Sequence, residues 1–328
     1  MKAVIWRAFG AARDVLVFEE IETPVPAAGE VRVRVAWSGA NPSDVKARSG
    51  SRPGVTKPAY EAIIPHSDGS GEIEAVGSGV DPSRIGQRVW LWNGQWQRPF
   101  GTCAEYICLP AAQAVPLPAQ TPLEDGAVLG IPGLTACHCV FCGGEIAGKT
   151  VLISGGGGAV GYLAVQLAKW GGARVIATCG ARDMDRVAAA GADAVFAYAS
   201  ESLSQDILGA TDGAGVDIAV EVEFGVNAGL LAEVMAPNGR ISIYGSGKDM
   251  APVMPFGPML FKALTLDISL IYILRDGDRI AAIDRLNSAL SEGALSMPAP
   301  NVFTAEQAAE AHEMVEAGGR TGAVLVRF

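Results

Sequence analysis

Positive charge is scarce in this sequence: 25 Lys and Arg are outnumbered by 35 Asp and Glu, for a net charge of −10. A chain of that balance repels polyphosphate backbones, so no nucleic-acid partner is expected. Long apolar runs are missing too. The stretch 260–274 is cut by Lys262 and Asp267, and no segment reaches the uninterrupted span that a bilayer requires, so no membrane partner is expected either. The opening residues turn polar at Arg7, too soon for the apolar region of a signal peptide, and the chain reads as cytoplasmic. Cysteine is sparse, six in 328 residues, which favours free thiols over a disulfide framework. Cys137, His138, Cys139 and Cys142 cluster, but Cys137 and His138 point away from the helical face that Cys139 and Cys142 could share. No second ligand pair of zinc-ribbon spacing follows, so small buried thiols are expected and no metal.

What is present is apolar residues and glycine. With 49% hydrophobic and 18% charged residues, disorder is excluded, and the length suits two cores. Up to about residue 120, short β-type runs at 2–6, 15–20, 30–37, 71–76, 87–92 and 104–109 are punctuated by Gly and Pro, the rhythm of a barrel-like β domain. From about residue 125 the strand-length runs become continuously apolar, at 151–154, 174–178, 194–197, 216–222, 240–244 and 265–269, and alternate with helical patterns. That alternation predicts a parallel sheet covered on both faces. Two further helices are expected at 278–292 and 305–317, the second opened by a Thr304/Gln307 capping box and stopped by Gly318 and Gly319. The terminal strand, 322–328, has no helix after it and is expected to return to the first domain.

The apolar run 151–154 passes into Gly155-Gly156-Gly157-Gly158-Ala159-Val160-Gly161 and then a helical pattern. Gly156, Gly158 and Gly161 stand in the G-x-G-x-x-G order of a dinucleotide fingerprint, between a buried strand and a helix start. Side-chain-free residues there let the backbone turn and approach a pyrophosphate, whose charge meets the helix N-terminus. An NAD-binding chain places an acid about 20 residues on, at the tip of the second strand. Here that strand ends Thr178-Cys179-Gly180-Ala181-Arg182, a small neutral turn followed by a cation, which suits a 2′-phosphate and therefore NADPH. Arg182 can equally be a solvated charge at the start of a helix, and Asp183 competes for its guanidinium.

Ordered segments along nearly the whole chain carry a family likeness. They include Met1-Lys2-Ala3, Pro26 to Val35, Gly39-Ala40-Asn41-Pro42-Ser43-Asp44, Ser67 to Gly77, Gly86 to Val89, Cys103 to Tyr106, Gly130-Ile131-Pro132-Gly133-Leu134-Thr135-Ala136, the glycine loop, and Gly191 to Asp193. On these the sequence resembles the medium-chain dehydrogenase/reductase superfamily, in its zinc-independent quinone oxidoreductase (zeta-crystallin-like) and enone reductase branch. The resemblance implies an α/β chain in which a Rossmann doubly wound parallel sheet, 123–267, is inserted in a GroES-like β-barrel catalytic domain built from 1–122 and 268–328. The cofactor would lie in the cleft between them.

Zinc alcohol dehydrogenases of that superfamily carry Cys where this chain has Asn41 and His where it has Ser67, with a third ligand near Ile131; His66 lies one position from the ligand slot. Three N, S or O ligands are therefore not supplied in register. The resemblance implies hydride transfer from NADPH to a small electrophile, a quinone or an α,β-unsaturated carbonyl. Asn41, Asp44 and Lys46, matching Asn-Pro-x-Asp-x-Lys, are the implied catalytic residues, with Lys46 as a plain surface lysine the alternative. Thr135, Gly245 and Ser246 are implied on the nicotinamide side and Tyr198 beside the adenine. The expected cofactor contacts also include Gly156, Gly157, Gly158, Ala159, Val160, Gly161, Cys179, Gly180 and Arg182. Trp92, Trp96 and Phe100 are expected near the cleft mouth or in a dimer contact. A homodimer is the expected assembly. The rival functions are a 2-enoyl thioester reductase, which should carry a basic patch for CoA phosphates, and a non-catalytic crystallin-like NADPH-binding protein.

Overall fold

Val31, Val33 and Val35 alternate inward along Glu30–Ala40, while Arg34 between them is exposed. This is the period of a strand with one face in a core. In the computed structural model, which describes residues 1–52 and 54–328, this strand organises the first of two compact units, Met1–Ile131 with Met297–Phe328. Its sheet runs Asn301–Thr304, Val324–Arg327, Glu30–Ala40, Asp68–Val76, Arg88–Leu91, Ala114–Pro116, with Tyr106–Pro110 also paired to Glu30–Ala40. Register shifts between Arg32 and Val33, and again between Val35 and Trp37, bend the central pair. Val324–Arg327 pairs antiparallel with Glu30–Ala40, so the tail does return to the β-rich start. The helix Ala308–Ala317 lies in the same unit and packs on Val324–Arg327; the expected Thr304/Gln307 capping box sits in the 3-10 turn just before it.

Pro132–Ser296 forms the second unit. Six parallel strands, Thr150–Ser154, Arg174–Cys179, Ala194–Ala197, Val216–Glu221, Met235–Ile243 and Thr265–Ile268, are numbered one to six along the chain and stand in the order 3-2-1-4-5-6. That is the doubly wound Rossmann arrangement, whose ligand crevice opens where the order reverses, at the carboxyl ends of the first and fourth strands. The domain boundaries expected from sequence were 122/123 and 267/268; compactness divides the chain at 131/132 and 296/297. Residues 268–296 go with the second unit because the helix Asp276–Ser291 packs against Leu134–Phe141. Among the described residues, no helix is long and apolar enough to cross a membrane.

Candidate functional site

The glycine loop takes a shape that side chains would block. Gly155 has φ +72°, Gly156 N donates to Thr178 O at 2.8 Å, and Gly158 N donates back to Gly155 O at 2.9 Å. Gly158 is then the N-cap of the helix Ala159–Trp170, whose first-turn amides, Ala159, Val160 and Gly161 among them, have no intrahelical partner and can meet an anion. A Cβ on Gly161 would collide with Gly155 O, so helix and loop pack this closely only through glycine. Gly156, Gly157, Gly158, Ala159, Val160 and Gly161 are thus brought together in one turn.

The neighbouring strand ends beside this loop. Cys179 is buried, Gly180 opens the turn, and Tyr198 N donates to Cys179 O at 3.0 Å with its phenol ring close by Gly180. Asp183, which the sequence suggested as a competitor for Arg182, is buried beneath Gly157, where a Cβ would come within 2.9 Å of its Oδ2. Its carboxylate meets Arg186 at 3.0 Å and Arg182 at 3.5 Å. Arg186 also donates to Gly157 O at 2.7 Å and lies 4.9 Å from the Tyr162 ring, while its Nη1 has no partner. Two cations therefore bracket one acid at this turn, where the sequence reading had committed to one.

At the switch point Ser154 Oγ donates to Glu221 Oε2 at 2.6 Å, joining the first and fourth strands at their carboxyl ends. Glu221 Oε1 also accepts from Glu223 N and Asn227 Nδ2, and burial raises its pKa against these bonds. Glu223 in turn accepts from the Gly247 and Lys248 amides, and Phe224 N donates to Gly245 O. The Ser246 hydroxyl binds Gly225 N and Asp249 O, so its hydrogen-bonding capacity goes to the loop itself. Thr135 is buried in the helix Leu134–Phe141.

In the first unit, Asn41 is the N-cap of Pro42–Ser49, with Pro42 at N1 and Gly50 closing the helix at φ +76°. Asn41 N donates to Asp44 Oδ2 at 2.8 Å and Asn41 Nδ2 to Asp68 Oδ2 at 2.7 Å. Burial pushes Asp44 up to about 7 and Asp68 well above the carboxylate range. The structure thus gathers Asn41 and Asp44, adds Asp68, and leaves Lys46 exposed on the same helix. Trp92 and Trp96 are half-buried and Phe100 is exposed.

Residues 27–119 match the alcohol dehydrogenase GroES-like domain family, and 159–288 match the zinc-binding dehydrogenase family. Quinone oxidoreductase of Rattus norvegicus is 27% identical over 99% of this chain and 97% of its own. A solved NAD-dependent alcohol dehydrogenase is 29% identical with TM-score 0.86, each chain covered in full. Pseudomonas syringae quinone oxidoreductase is 25% identical with TM-score 0.84, over 100% of this chain and 99% of its own. This chain belongs to the medium-chain dehydrogenase/reductase superfamily. It is an oxidoreductase of that superfamily with a Rossmann unit suited to a nicotinamide cofactor.

The name of the second matching family raises zinc directly, but the side chains at the ligand positions implied by the resemblance to zinc alcohol dehydrogenases, which lie within the GroES-like match, do not fit the ion. Asn41 presents its amide nitrogen, a donor already directed at Asp68, and Ser67 is a buried hydroxyl. His66 has Nδ1 2.8 Å from Ser38 Oγ and Nε2 2.9 Å from His312 Nε2, so both nitrogens are engaged. Among the described residues, no three His, Cys, Asp or Glu side chains gather as a metal site.

The sequence reading missed Asp68 and Glu221 as site residues, and held Arg186 only as an alternative to Arg182 for the phosphate contact. Glu221 was open to detection as an acid closing a buried strand at the switch point. Asp68 had no local signal, because its partner Asn41 lies 27 residues away.

Proposed function

We propose that the chain is an NADPH-dependent reductase of small electrophiles, a quinone or an α,β-unsaturated carbonyl, that works without zinc. The observation that carries the reading is the Asn41 amide, bonded to Asp68 at a position where the superfamily's zinc enzymes have a metal ligand. A polar amide there offers an N–H to a substrate oxygen rather than a lone pair to a metal. The glycine loop, 156–161, would hold the nicotinamide cofactor, which when bound would supply a hydride. The Asn41 N–H would stabilise the oxyanion or enolate as charge develops on the substrate oxygen. Asp44 holds the Asn41 backbone, and Lys46 is an exposed cation on the same helix.

The choice of NADPH rests on Arg182 and Arg186 against the single acid Asp183. A 2′-phosphate would recruit these guanidinia, and Arg186 Nη1 is unpartnered. Gly156 to Gly161 would hold the pyrophosphate, Cys179, Gly180 and Tyr198 would border the adenosine, and Thr135, Gly245 and Ser246 the nicotinamide. The proposed macromolecular partner is a second copy. Thr265–Ile268 pairs on one side with Met235–Ile243, and Phe261, Ile268 and Ile273 near it are exposed. Light scattering of the purified protein should give twice the chain mass.

The test of function is NADPH oxidation with 1,4-quinones, cyclic enones and short alkenals, before and after chelation, alongside metal analysis. Turnover that survives the chelator, with no stoichiometric zinc, is expected. One zinc per chain with activity lost on chelation removes the reading, as does NADPH binding without turnover on the whole panel.

A further inference from the structure

Asp68 is fully buried, and none of the roles above uses its carboxyl except as a contact. Its Oδ2 accepts from Asn41 Nδ2 at 2.7 Å. Its Oδ1 occupies space that a side chain on Gly130 would need, since a Cβ there would come within 2.5 Å of it. The Ile131 amide next along favours the ionised form of the acid. Asp68 is therefore bonded at Oδ2 to the start of the helix Pro42–Ser49 and packed at Oδ1, which has no hydrogen-bond partner, against the turn Leu129–Gly133.

A side-chain amide has two faces of opposite chemistry, a carbonyl acceptor and a two-proton donor, which a half-turn about χ2 exchanges. Asn41 is only 8% exposed, so water cannot set its orientation. We propose that Asp68 is the positioning residue for Asn41: by accepting an Nδ2 proton it fixes which end of the amide, nitrogen or carbonyl, faces the substrate oxygen. Asp44 also meets the Asn41 side chain, with a carboxyl that accepts and a backbone N–H that donates, so it suits either orientation; without the Asp68 acceptor the amide can flip, and a flipped Asn41 would present a lone pair to a developing oxyanion. The gain lies in pre-organisation, because the donor is oriented before charge develops.

This inference rests on the reductase reading, and its test separates the two. Kinetics with the best quinone or enone should show Asp68→Ala losing on the order of 10²-fold in kcat, as when one positioned oxyanion donor is lost. KM for NADPH should stay within a few-fold. Asp68→Asn, whose carbonyl can accept the same proton, should recover most of the loss. In an Asn41→Ala background, Asp68→Ala should cost nothing further, because a residue that acts only through Asn41 has nothing left to position. Independently of turnover, ¹⁵N-asparagine labelling should show one Asn41 side-chain proton shifted and protected from exchange in wild type and in Asp68→Asn but not in Asp68→Ala. Losses that multiply in the double variant, or an Asp68→Asn variant as slow as Asp68→Ala, overturn the proposal. Absence of the protected proton in wild type overturns it even if the reductase reading stands. If no substrate is turned over, the reductase reading falls, and the catalytic role assigned to Asp68 falls with it.

Discussion

The Nε2 atoms of His66 and His312 lie 2.9 Å apart between buried, stacked rings whose centroids are 5.1 Å apart. One proton fits between them, and a chain of hydroxyls decides where it sits. Thr102 donates to Asp68 O and so must accept from Ser38, at 2.7 Å. Ser38, its proton spent, accepts from His66 Nδ1–H, which leaves His66 Nε2 to accept from His312 Nε2–H. The pair is neutral in the folded protein. The loop residue His66, just before the strand Asp68–Val76, and the helix Ala308–Ala317 are tied together by it.

Acid should loosen this tie. Burial holds His312 down to about 3 and His66 well below its ordinary value, with a neighbouring charge adding to each. An unfolded histidine titrates near 6.5, so the contribution is present above that pH and is lost as pH falls through the folded values. Urea midpoints of wild type should drop between pH 7 and pH 4.5, and His312→Gln should drop less, from a start lower by about 1–3 kcal/mol. Parallel acid losses in the two proteins would falsify the assignment.

Asp44 acts in the opposite sense. Its folded pKa is raised to about 7 by burial, against the Asn41 amide bond that lowers it. The stability it contributes is complete below the ordinary carboxylate value and disappears as pH rises through about 7. Asp44→Asn should therefore gain on wild type as pH rises from 4 to 8. Denaturation of both proteins across that range checks the slope; a constant difference would mean that Asp44 ionises freely.

Cofactor preference should fall on two arginines. If each makes a charge-assisted bond to the 2′-phosphate worth about 1.5–3 kcal/mol, its loss costs on the order of 10- to 150-fold in kcat/KM with NADPH. Arg182→Ala and Arg186→Ala should lower the NADPH to NADH ratio by factors in that range. Arg186→Ala should show the larger drop, because Arg186 also holds Gly157 and Asp183. A wild-type ratio near one removes the NADPH assignment, leaving Asp183 as the acid that reads a ribose.

Gly161→Ala places a methyl group against Gly155 O. Overpacking of this kind costs about 1–3 kcal/mol, and here the strain falls on the loop that would hold the pyrophosphate. NADPH affinity, read from fluorescence titration, should weaken at least about tenfold. Unchanged affinity would show that the loop has room the structure does not give it.

The periodicity of the sequence was enough to separate a β-rich start from an alternating second half, and to place the glycine loop between a strand and a helix. Those features are local: a two-residue or 3.6-residue rhythm, a cap three residues from its partner, a glycine where φ must be positive. Asn41 and Asp44 were legible together for the same reason, since they are the two halves of one helix cap.

The pairings that give the candidate site its chemistry were decided elsewhere. Asn41 with Asp68, His66 with His312 and Ser154 with Glu221 are separated by 27, 246 and 67 residues. Whether Ser154 meets Glu221 depends on strand register, since a slip of one residue would turn either to the opposite face; the other two pairs depend on how a helix cap meets the start of a strand and how a helix meets a loop. The sequence by itself determined the elements and their order; the tertiary structure alone decided which buried donors face which acceptors, because a hydrogen bond needs both atoms within about 3 Å and correctly aimed.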